Sequence, residues 1–273
     1  MKLTEEQIYR YSRHILLPEI GGVGQEKLLR SRVLCVGVGG LGSPIALYLV
    51  AAGVGAIGIA DSDHVEISNL QRQILHYTDD IGKHKTDSAR EKLEKLNPDV
   101  NIIEHQGTVS SKNIRDIVRD YDIVVDGSDN FTTRYLVNDG CYFGKKTLVS
   151  GAIFQFEGQV SVFKTHAGGV CYRCLYPEIP PQGLMPSCQE AGILGAAAGI
   201  IGTVQAVETL KQILGIGEPL VNRLLVFNAL SMSFNSVNLK KDPACRLCGE
   251  NPSIREVEEY HEPECEVENF PVS

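Results

Sequence analysis

Arg32-Val-Leu-Cys-Val-Gly-Val-Gly-Gly-Leu-Gly-Ser43, and a helix's length further on Gly58-Ile-Ala-Asp61, form the most informative stretch of the chain. Val33 to Val36 is an apolar run too short for a helix and rich in β-branched residues, so it reads as a buried strand. Gly37, Gly39 and Gly42 follow with the spacing G-x-G-x-x-G. Pro44 to Ala52 reads as a helix, with Ser43 as its N-cap and Pro44 in its first turn. A second strand, Ala56 to Ala60, ends on Asp61. Strand, glycine turn, helix, strand and acid make the nucleotide-binding βαβ fingerprint. The glycines let backbone N–H groups close on phosphate at a helix N-terminus, and Asp61 is placed to accept hydrogen bonds from ribose hydroxyls.

Bulk properties narrow the classes. With 273 residues the chain can bury a real core, and 43% hydrophobic against 22% charged residues marks it as globular. A net charge of −8 argues against general binding to nucleic acid or anionic membrane. No signal-peptide core follows Met1, so a cytoplasmic protein is expected. Eight cysteines are then better read as metal ligands or catalytic thiols than as a disulfide framework.

Outward from the fingerprint, Thr4 caps a first helix, Glu5 to Ser12, whose end Tyr9-Arg-Tyr-Ser-Arg-His14 is rich in Arg and Tyr. Gly21 to Gly24 reads as a turn before a short helix, Gln25 to Leu29. After Asp61, the polar run Ser62 to Gln73 lies just outside a strand's carboxyl end, where open α/β sheets bind ligands. Gly82 to Leu96 is the next helix. Lys85 in its first turn opposes the helix dipole, so an anion partner explains it better than a structural role. A P-loop is excluded, because Tyr77 and His84 stand where Gly and Ser or Thr belong. Asn101 to His105, Tyr121 to Asp126 and Thr147 to Ser150 read as strands, and Ser111 to Arg119 and Phe131 to Phe143 as helices. The acids after Asp126 suit a magnesium ligand beside phosphate. Asp129 takes that role, with Asp126 as a helix cap or outer support.

Beyond residue 150 the rhythm becomes antiparallel: Ala152 to Phe156, Gly158 to Lys164, Leu224 to Asn228 and Ser231 to Leu239. Ala191 to Leu214 reads as a buried helix packed closely on its neighbours; Thr203, Gln205 and Glu208 weigh against a membrane span. The fold expected is α/β, a Rossmann-like nucleotide-binding sheet continuing into an antiparallel half. The nucleotide half covers about 1–150, the antiparallel and zinc half about 151–250, and 251–273 is an acidic, mostly solvated extension.

Cys171-Tyr-Arg-Cys174 and Cys245-Arg-Leu-Cys248 are two C-x-x-C pairs that together can fill the four tetrahedral positions of one Zn²⁺. Such a closed site pins crossing segments and does not catalyse. A redox C-x-x-C needs neither the second pair nor this position. Cys188 sits in a Pro/Gly-rich loop just before the long helix. A thiol near a helix N-terminus is biased toward thiolate, and an inert cysteine is the alternative. Cys35 and Cys141 read as core residues, Cys265 as an exposed thiol.

Arg10-Tyr-Ser-Arg-His14, Gly37-x-Gly-Gly-Leu-Gly-Ser43, Asp61-x-Asp-x-Val-x-x-Ser-Asn-Leu-x-Arg-Gln73, Lys83-x-Lys85, Asp126-x-x-Asp-Asn130 and the paired C-x-x-C motifs resemble the ThiF/MoeB/HesA family, bacterial relatives of ubiquitin-activating enzymes. The resemblance covers about residues 3 to 250. It implies an adenylyltransferase that binds Mg-ATP and adenylates the C-terminal Gly-Gly carboxylate of a small ubiquitin-fold sulfur carrier, releasing pyrophosphate. By motif it implies that Gly39, Gly40 and Gly42 line the nucleotide loop and Asp61 binds ribose. Asn69, with Ser68 beside it, Arg72 and Lys85 would hold phosphates, and Asp129, followed by Asn130, would hold magnesium. Arg13 would reach the nucleotide of a second copy in a homodimer. Molybdopterin-branch members release the acyl-adenylate to a separate sulfurtransferase. The thiamine branch is linked to an acyl-disulfide through a cysteine in the region of Cys188. After the core too few residues remain for a rhodanese domain, so another protein would supply sulfur.

Two other classes compete. A Rossmann dehydrogenase predicts NAD binding and no need for Arg72 or Lys85. A non-catalytic scaffold predicts binding of a ubiquitin-fold protein without pyrophosphate release. A branch that adenylates a peptide or a transfer-RNA base stays open, with the acidic charge against nucleic acid.

Overall fold

The computed structural model describes residues 3–180 and 191–260. Cys188, Cys265 and most of the acidic tail lie outside them.

One eight-stranded sheet runs through the chain in the order β3-β2-β1-β4-β5-β6-β7-β8. Its strands are β1 (Arg32–Val36), β2 (Ala56–Asp61), β3 (Asn101–Gln106), β4 (Ile123–Asp126), β5 (Thr147–Phe154), β6 (Glu157–Phe163), β7 (Arg223–Asn228) and β8 (Ser233–Asn238). From β3 to β5 neighbours are parallel, and from β5 to β8 antiparallel. The chain leaves β1 toward β2 and returns on its other side as β4. The carboxyl ends of β1 and β4 therefore face a topological switch point, where such sheets open a crevice.

Helices cover both faces: α1 (Glu5–Arg10), α2 (Ser12–Ile15), α3 (Gly21–Arg30), α4 (Gly42–Ala51), α5 (Lys85–Leu96), α6 (Ile114–Arg119), α7 (Phe131–Gly144), α8 (Tyr172–Leu175) and α9 (Gly195–Leu214). Strand side chains alternate between the two layers. Val33 and Cys35 of β1 join Ile45, Leu49, Leu93 and Ile201 in one core. Leu34 and Val36 join Ile114, Val118, Tyr135 and Cys141 in the other. Cys35 and Cys141 are thus core residues as expected, and burial pushes the Cys35 thiol up to about 12.

Several boundaries differ from the sequence expectation. Thr4 does cap α1, accepting from the Gln7 N–H while the Gln7 side chain accepts from the Thr4 N–H. Gly21 to Gly24, expected as a turn, form the first turn of α3. Helix α4 begins at Gly42 and not at Pro44; Ser43 lies inside it and its hydroxyl donates back to the Gly39 carbonyl (2.6 Å). Helices α5, α6 and α9 begin three or four residues late, at Lys85, Ile114 and Gly195. The two strands expected at 147–150 and 152–156 are one. Thr147 to Ser150 pair with β4 while Leu148 to Phe154 pair with β6, so β5 joins the two halves.

Helix α9 lies across α4, β5 and β6, as its apolarity implied, with Val207 half exposed. Its close approach needs Gly202, where a Cβ would stand 2.4 Å from the Leu41 carbonyl oxygen. The polar Gln205 is buried and used: its amide donates to the Asp126 carbonyl (2.7 Å). Glu208, also buried, accepts from the Leu220 N–H (2.7 Å) and from Lys211 (2.5 Å). No helix among the described residues is long and apolar enough to cross a membrane.

The start of the acidic extension is anchored. Ile254 is buried and its N–H donates to the Arg246 carbonyl (2.9 Å). Tyr260 donates to the buried Asp139 and covers Arg173. Most of residues 251–260 are exposed, and Ile254 and Tyr260 fasten the segment to the body of the protein.

Candidate active site

A cleft opens at the carboxyl ends of β1, β2 and β4. Gly39, Gly40, Asp61, Asp63, Arg72, Gln73, Lys85, Asp129, Asn130 and Arg134 all reach it. Its floor is the turn from β1 into α4. Gly42 belongs to the packing of that turn: a Cβ there would lie 1.9 Å from the Gly37 carbonyl oxygen, so no other residue fits. Asp61 braces the loop. One carboxylate oxygen accepts from the Val38 N–H (2.9 Å) and the other from the Asp63 N–H (2.9 Å). A carboxylate has about four acceptor positions, so two remain for ribose hydroxyls. Burial pushes the Asp61 carboxyl up, opposed by Lys85 and the two N–H donors.

Lys85 opens α5 and is 5% exposed. Its ammonium lies 2.8 Å from Asp63 Oδ2. Arg72 donates to the Ser68 carbonyl (3.0 Å), and its stem lies over Gly40. Asp129 is exposed on the opposite wall, and its carboxylate has no hydrogen-bond or ion-pair partner among the described residues. The cleft thus sets Arg72, Lys85 and an unengaged carboxylate around a glycine loop. That arrangement suits a polyphosphate with a divalent ion better than a dinucleotide.

The acids after β4 divide their work. Asp126 is fully buried and accepts from the Ser128 N–H (3.0 Å) and hydroxyl (2.6 Å), so it shapes the loop and caps no helix. The cap of α7 is Asn130, whose Oδ1 accepts from the Thr133 N–H (2.8 Å) and Thr132 hydroxyl (2.9 Å). Asn130 still reaches the cleft.

Besides Gly42, three expected residues do not line it. Ser68 is exposed and donates to Glu66 (3.3 Å). Asn69 is buried beside the cleft, and its carbonyl accepts the Arg72 and Gln73 N–H groups, so it shapes the segment that carries Arg72. Arg13 is exposed on α2, away from this chain's own cleft.

Two further cleft residues have no role assigned from the sequence: Arg134 carries no signal, and Gln73 is marked only as the end of the polar run and of the family motif. Arg134, buried in α7, donates to the Gly151 (2.9 Å) and Ser128 (2.6 Å) carbonyls and so ties β5 to the Asp129 loop. Gln73 is 4% exposed, and its Oε1 has no partner. The local pattern does not mark Arg134, because it acts through carbonyls of other segments.

The four cysteines do meet. Cys171, Cys174, Cys245 and Cys248 bring all Sγ atoms within 4.8 Å of one another. Individual separations are 3.4 Å (Cys174 to Cys248 and Cys171 to Cys248), 3.6 Å (Cys171 to Cys245) and 3.9 Å (Cys171 to Cys174). A tetrahedron of thiolates at Zn–S distances of about 2.3 Å has edges of about 3.8 Å, so the set fits one zinc ion and no disulfide. Among the described residues it is the one such cluster.

Comparison with known proteins agrees with this geometry. Residues 11–247 match the model of the ThiF family. A sulfur carrier protein adenylyltransferase of Thermus thermophilus is 48% identical over 95% of this chain and 97% of its own length. A probable adenylyltransferase/sulfurtransferase MoeZ of Mycobacterium tuberculosis is 46% identical over 95% of this chain, which spans 66% of that protein. Among solved structures, E. coli MccB with ATP superposes with a TM-score of 0.75 at 24% identity, over 88% of this chain and 74% of that one. The chain belongs to the ThiF family and is an adenylyltransferase.

Proposed function

We propose that the chain activates the C-terminal Gly-Gly carboxylate of a small ubiquitin-fold sulfur carrier with ATP, for molybdopterin, thiamine or a related sulfur-transfer pathway. The observation that carries this is the convergence of the glycine loop, Asp61, Arg72, Lys85 and Asp129 on one cleft. The names of the Thermus and Mycobacterium relatives supply the substrate class.

In the reaction a carboxylate oxygen of the carrier attacks the α-phosphorus of ATP. The bond to the β-phosphate oxygen breaks, pyrophosphate leaves, and a mixed anhydride with AMP remains. No protein nucleophile is needed, so positioning and charge stabilisation do the catalytic work. Asp61 orients ribose, the loop N–H groups face phosphate, and Lys85 and Arg72 neutralise the leaving pyrophosphate. Asn69 holds the Arg72 segment in place. Asp129 would hold Mg²⁺, which would supply further charge neutralisation at the phosphates. The four cysteines would hold structural Zn²⁺.

Arg13, exposed at the N-terminal arm, would complete the cleft of a second copy in a homodimer. A separate sulfurtransferase would consume the acyl-adenylate, with Cys188 as the thiol to test for a covalent stage. Asparagine at the Asp129 position and alanine at Cys188 are the informative changes for these roles. A cytoplasmic location fits thiolate zinc ligands. ATP–pyrophosphate exchange with candidate carriers, each with a Gly-Gly-deleted control, tests the reading. Exchange that requires the intact tail is expected. No exchange with any carrier, in protein that binds ATP, would refute it.

A further inference from the structure

His76 is 3% exposed and lies behind the glycine loop. Its Nε2 is 3.0 Å from the Val38 carbonyl oxygen. Its Nδ1 is 2.8 Å from the Ser88 hydroxyl. Lys92 Nζ is 3.0 Å from that hydroxyl and pairs with the buried Asp80. The proton directions along this chain follow from donor and acceptor chemistry once the ring is neutral. A carbonyl can only accept, so Nε2 carries a proton. The ammonium of Lys92 can only donate, so Ser88 accepts from it; in a neutral ring protonated at Nε2 the Nδ1 can only accept, so the Ser88 hydroxyl donates to it. Burial, with Lys85 and Lys92 near, lowers the imidazole to about 4 and keeps it neutral. The ring is therefore fixed in one tautomer and one orientation.

The consequence lies on the other side of the peptide. Val38 has its N–H bound by Asp61 and its carbonyl bound by His76. The Val38–Gly39 peptide is trans, so the Gly39 N–H points opposite to that carbonyl. The carbonyl points inward to His76, and the N–H is therefore turned to the cleft that Gly39 lines. No acceptor among the described residues takes the Gly39 N–H. Ser43 is the other group near the Val38 oxygen, at a long 3.4 Å, and its hydroxyl is already given to Gly39 O at 2.6 Å.

We propose that His76 is a positioning residue for nucleotide binding: with Ser88 and Lys92 behind it, it holds the Val38–Gly39 peptide so that the Gly39 N–H is a fixed donor to a phosphate oxygen of ATP. The proposal rests on the adenylation reading above. It assigns the ring no contact with substrate. It gives the Asp80–Lys92–Ser88–His76 chain a task beyond packing, since a preset donor does not reorganise when charge develops.

The test compares His76→Phe, which fills the space without a donor, with His76→Gln, whose amide can reach the Nε2 position. Labelling valine carbonyl carbon and glycine nitrogen yields four resolved peptide signals, from Val23-Gly24, Val36-Gly37, Val38-Gly39 and Val54-Gly55. In His76→Phe the Val38–Gly39 signal should move and the Val23–Gly24 signal stay. The kcat/KM for ATP in pyrophosphate exchange should fall roughly tenfold, the worth of one well-placed hydrogen bond, with the KM for the carrier unchanged. His76→Gln should restore most of both. A folded His76→Phe with an unmoved Val38–Gly39 signal, or a moved signal with unchanged ATP kinetics and affinity, overturns the proposal. If the parent binds ATP but gives no exchange, the adenylation reading fails, and ATP affinity still decides the role of His76. A parent that binds no ATP overturns both.

Discussion

Lys85 and Asp63 face each other across 2.8 Å at the mouth of the nucleotide cleft, one nearly buried and the other largely in water. The lysine stands at the N-terminus of α5, where the helix dipole disfavours a cation. Asp63 offsets that cost, and its exposed carboxylate is free to yield to a polyphosphate.

Lys85→Ala should lower pyrophosphate exchange roughly 10²-fold or more, as should Arg72→Ala, if each stabilises the charge that develops on the leaving group. Asp63→Asn should change the rate only a few-fold, because it removes the resting partner and not the catalytic cation. Steady-state exchange at saturating carrier distinguishes the three. Near-normal rates in Lys85→Ala would withdraw its assignment.

The cysteine cluster predicts about one zinc per chain in the purified parent. Cys171→Ser should lose that metal, and thermal stability should drop with it, because binding free energy at a structural site is folding free energy. Cys171 and Cys245 come from segments 74 residues apart, so the metal closes a long loop. Metal analysis with a melting curve in the presence of a chelator checks this. A parent that is free of zinc and equally stable would end the assignment.

Beside that cluster, Arg173 lies between its two C-x-x-C cysteines and is bound by Asp139, Nη2 to Oδ2 at 2.8 Å and Nε to Oδ1 at 3.0 Å. Both residues are buried, and the guanidinium is flanked by the rings of Tyr135 (4.6 Å) and Tyr260 (4.8 Å). Asp139→Ala leaves an uncompensated buried cation and should cost about 3–5 kcal/mol. Tyr260→Phe keeps the ring and removes one hydrogen bond to the carboxylate, and should cost about 1–2 kcal/mol. Urea unfolding measures both. If Tyr260→Phe matched Asp139→Ala, the pair would not be the centre of this network.

The nucleotide half was legible because its pattern is local: β1, the glycine turn, α4 and Asp61 lie within thirty residues, each with its own steric or hydrogen-bonding cue. The errors arose where one residue type serves two ends. The strands expected at 147–150 and 152–156 left Gly151 between them, yet it is the point where Gln205 packs on β5, and the two are one strand. Gly21 to Gly24 resembled a turn, but Gly24 packs against Ile20 and Leu214 within a helix. The acids after β4 signalled a site, while the division of labour among Asp126, Asp129 and Asn130 depends on which carbonyl and hydroxyl groups meet them. Arg134 and His76 carry no local signature at all. The charged residues of 251–260 suggested solvent and are exposed; what their charge did not signal is the anchoring of the segment by Ile254 and Tyr260.

His76 also makes stability depend on pH in a defined window. In the unfolded chain its imidazole takes a proton as the pH falls below its ordinary value of 6.5; in the folded protein burial delays this to about 4. The folded state therefore binds fewer protons between these values. The contribution is fully present above pH 6.5, is lost as the pH falls toward 4, and is flat below that, with a total of roughly 3 kcal/mol. The charged groups around the ring are Lys85, Lys92 and Asp80. Burial raises the Asp80 carboxyl, but Lys92, the Tyr77 N–H and Lys83 outweigh it and hold it far below the ordinary carboxylate range, so it titrates below this window. His105 and His166 are also lowered by burial and add to any overall acid sensitivity. The quantity to measure is therefore the difference in unfolding free energy between the parent and His76→Phe, taken at pH 7.5 and pH 5. The variant should lose less stability on acidification than the parent does. Equal losses would mean that the ring is protonated in the folded protein, and the fixed neutral tautomer behind the Val38 carbonyl would fall with it.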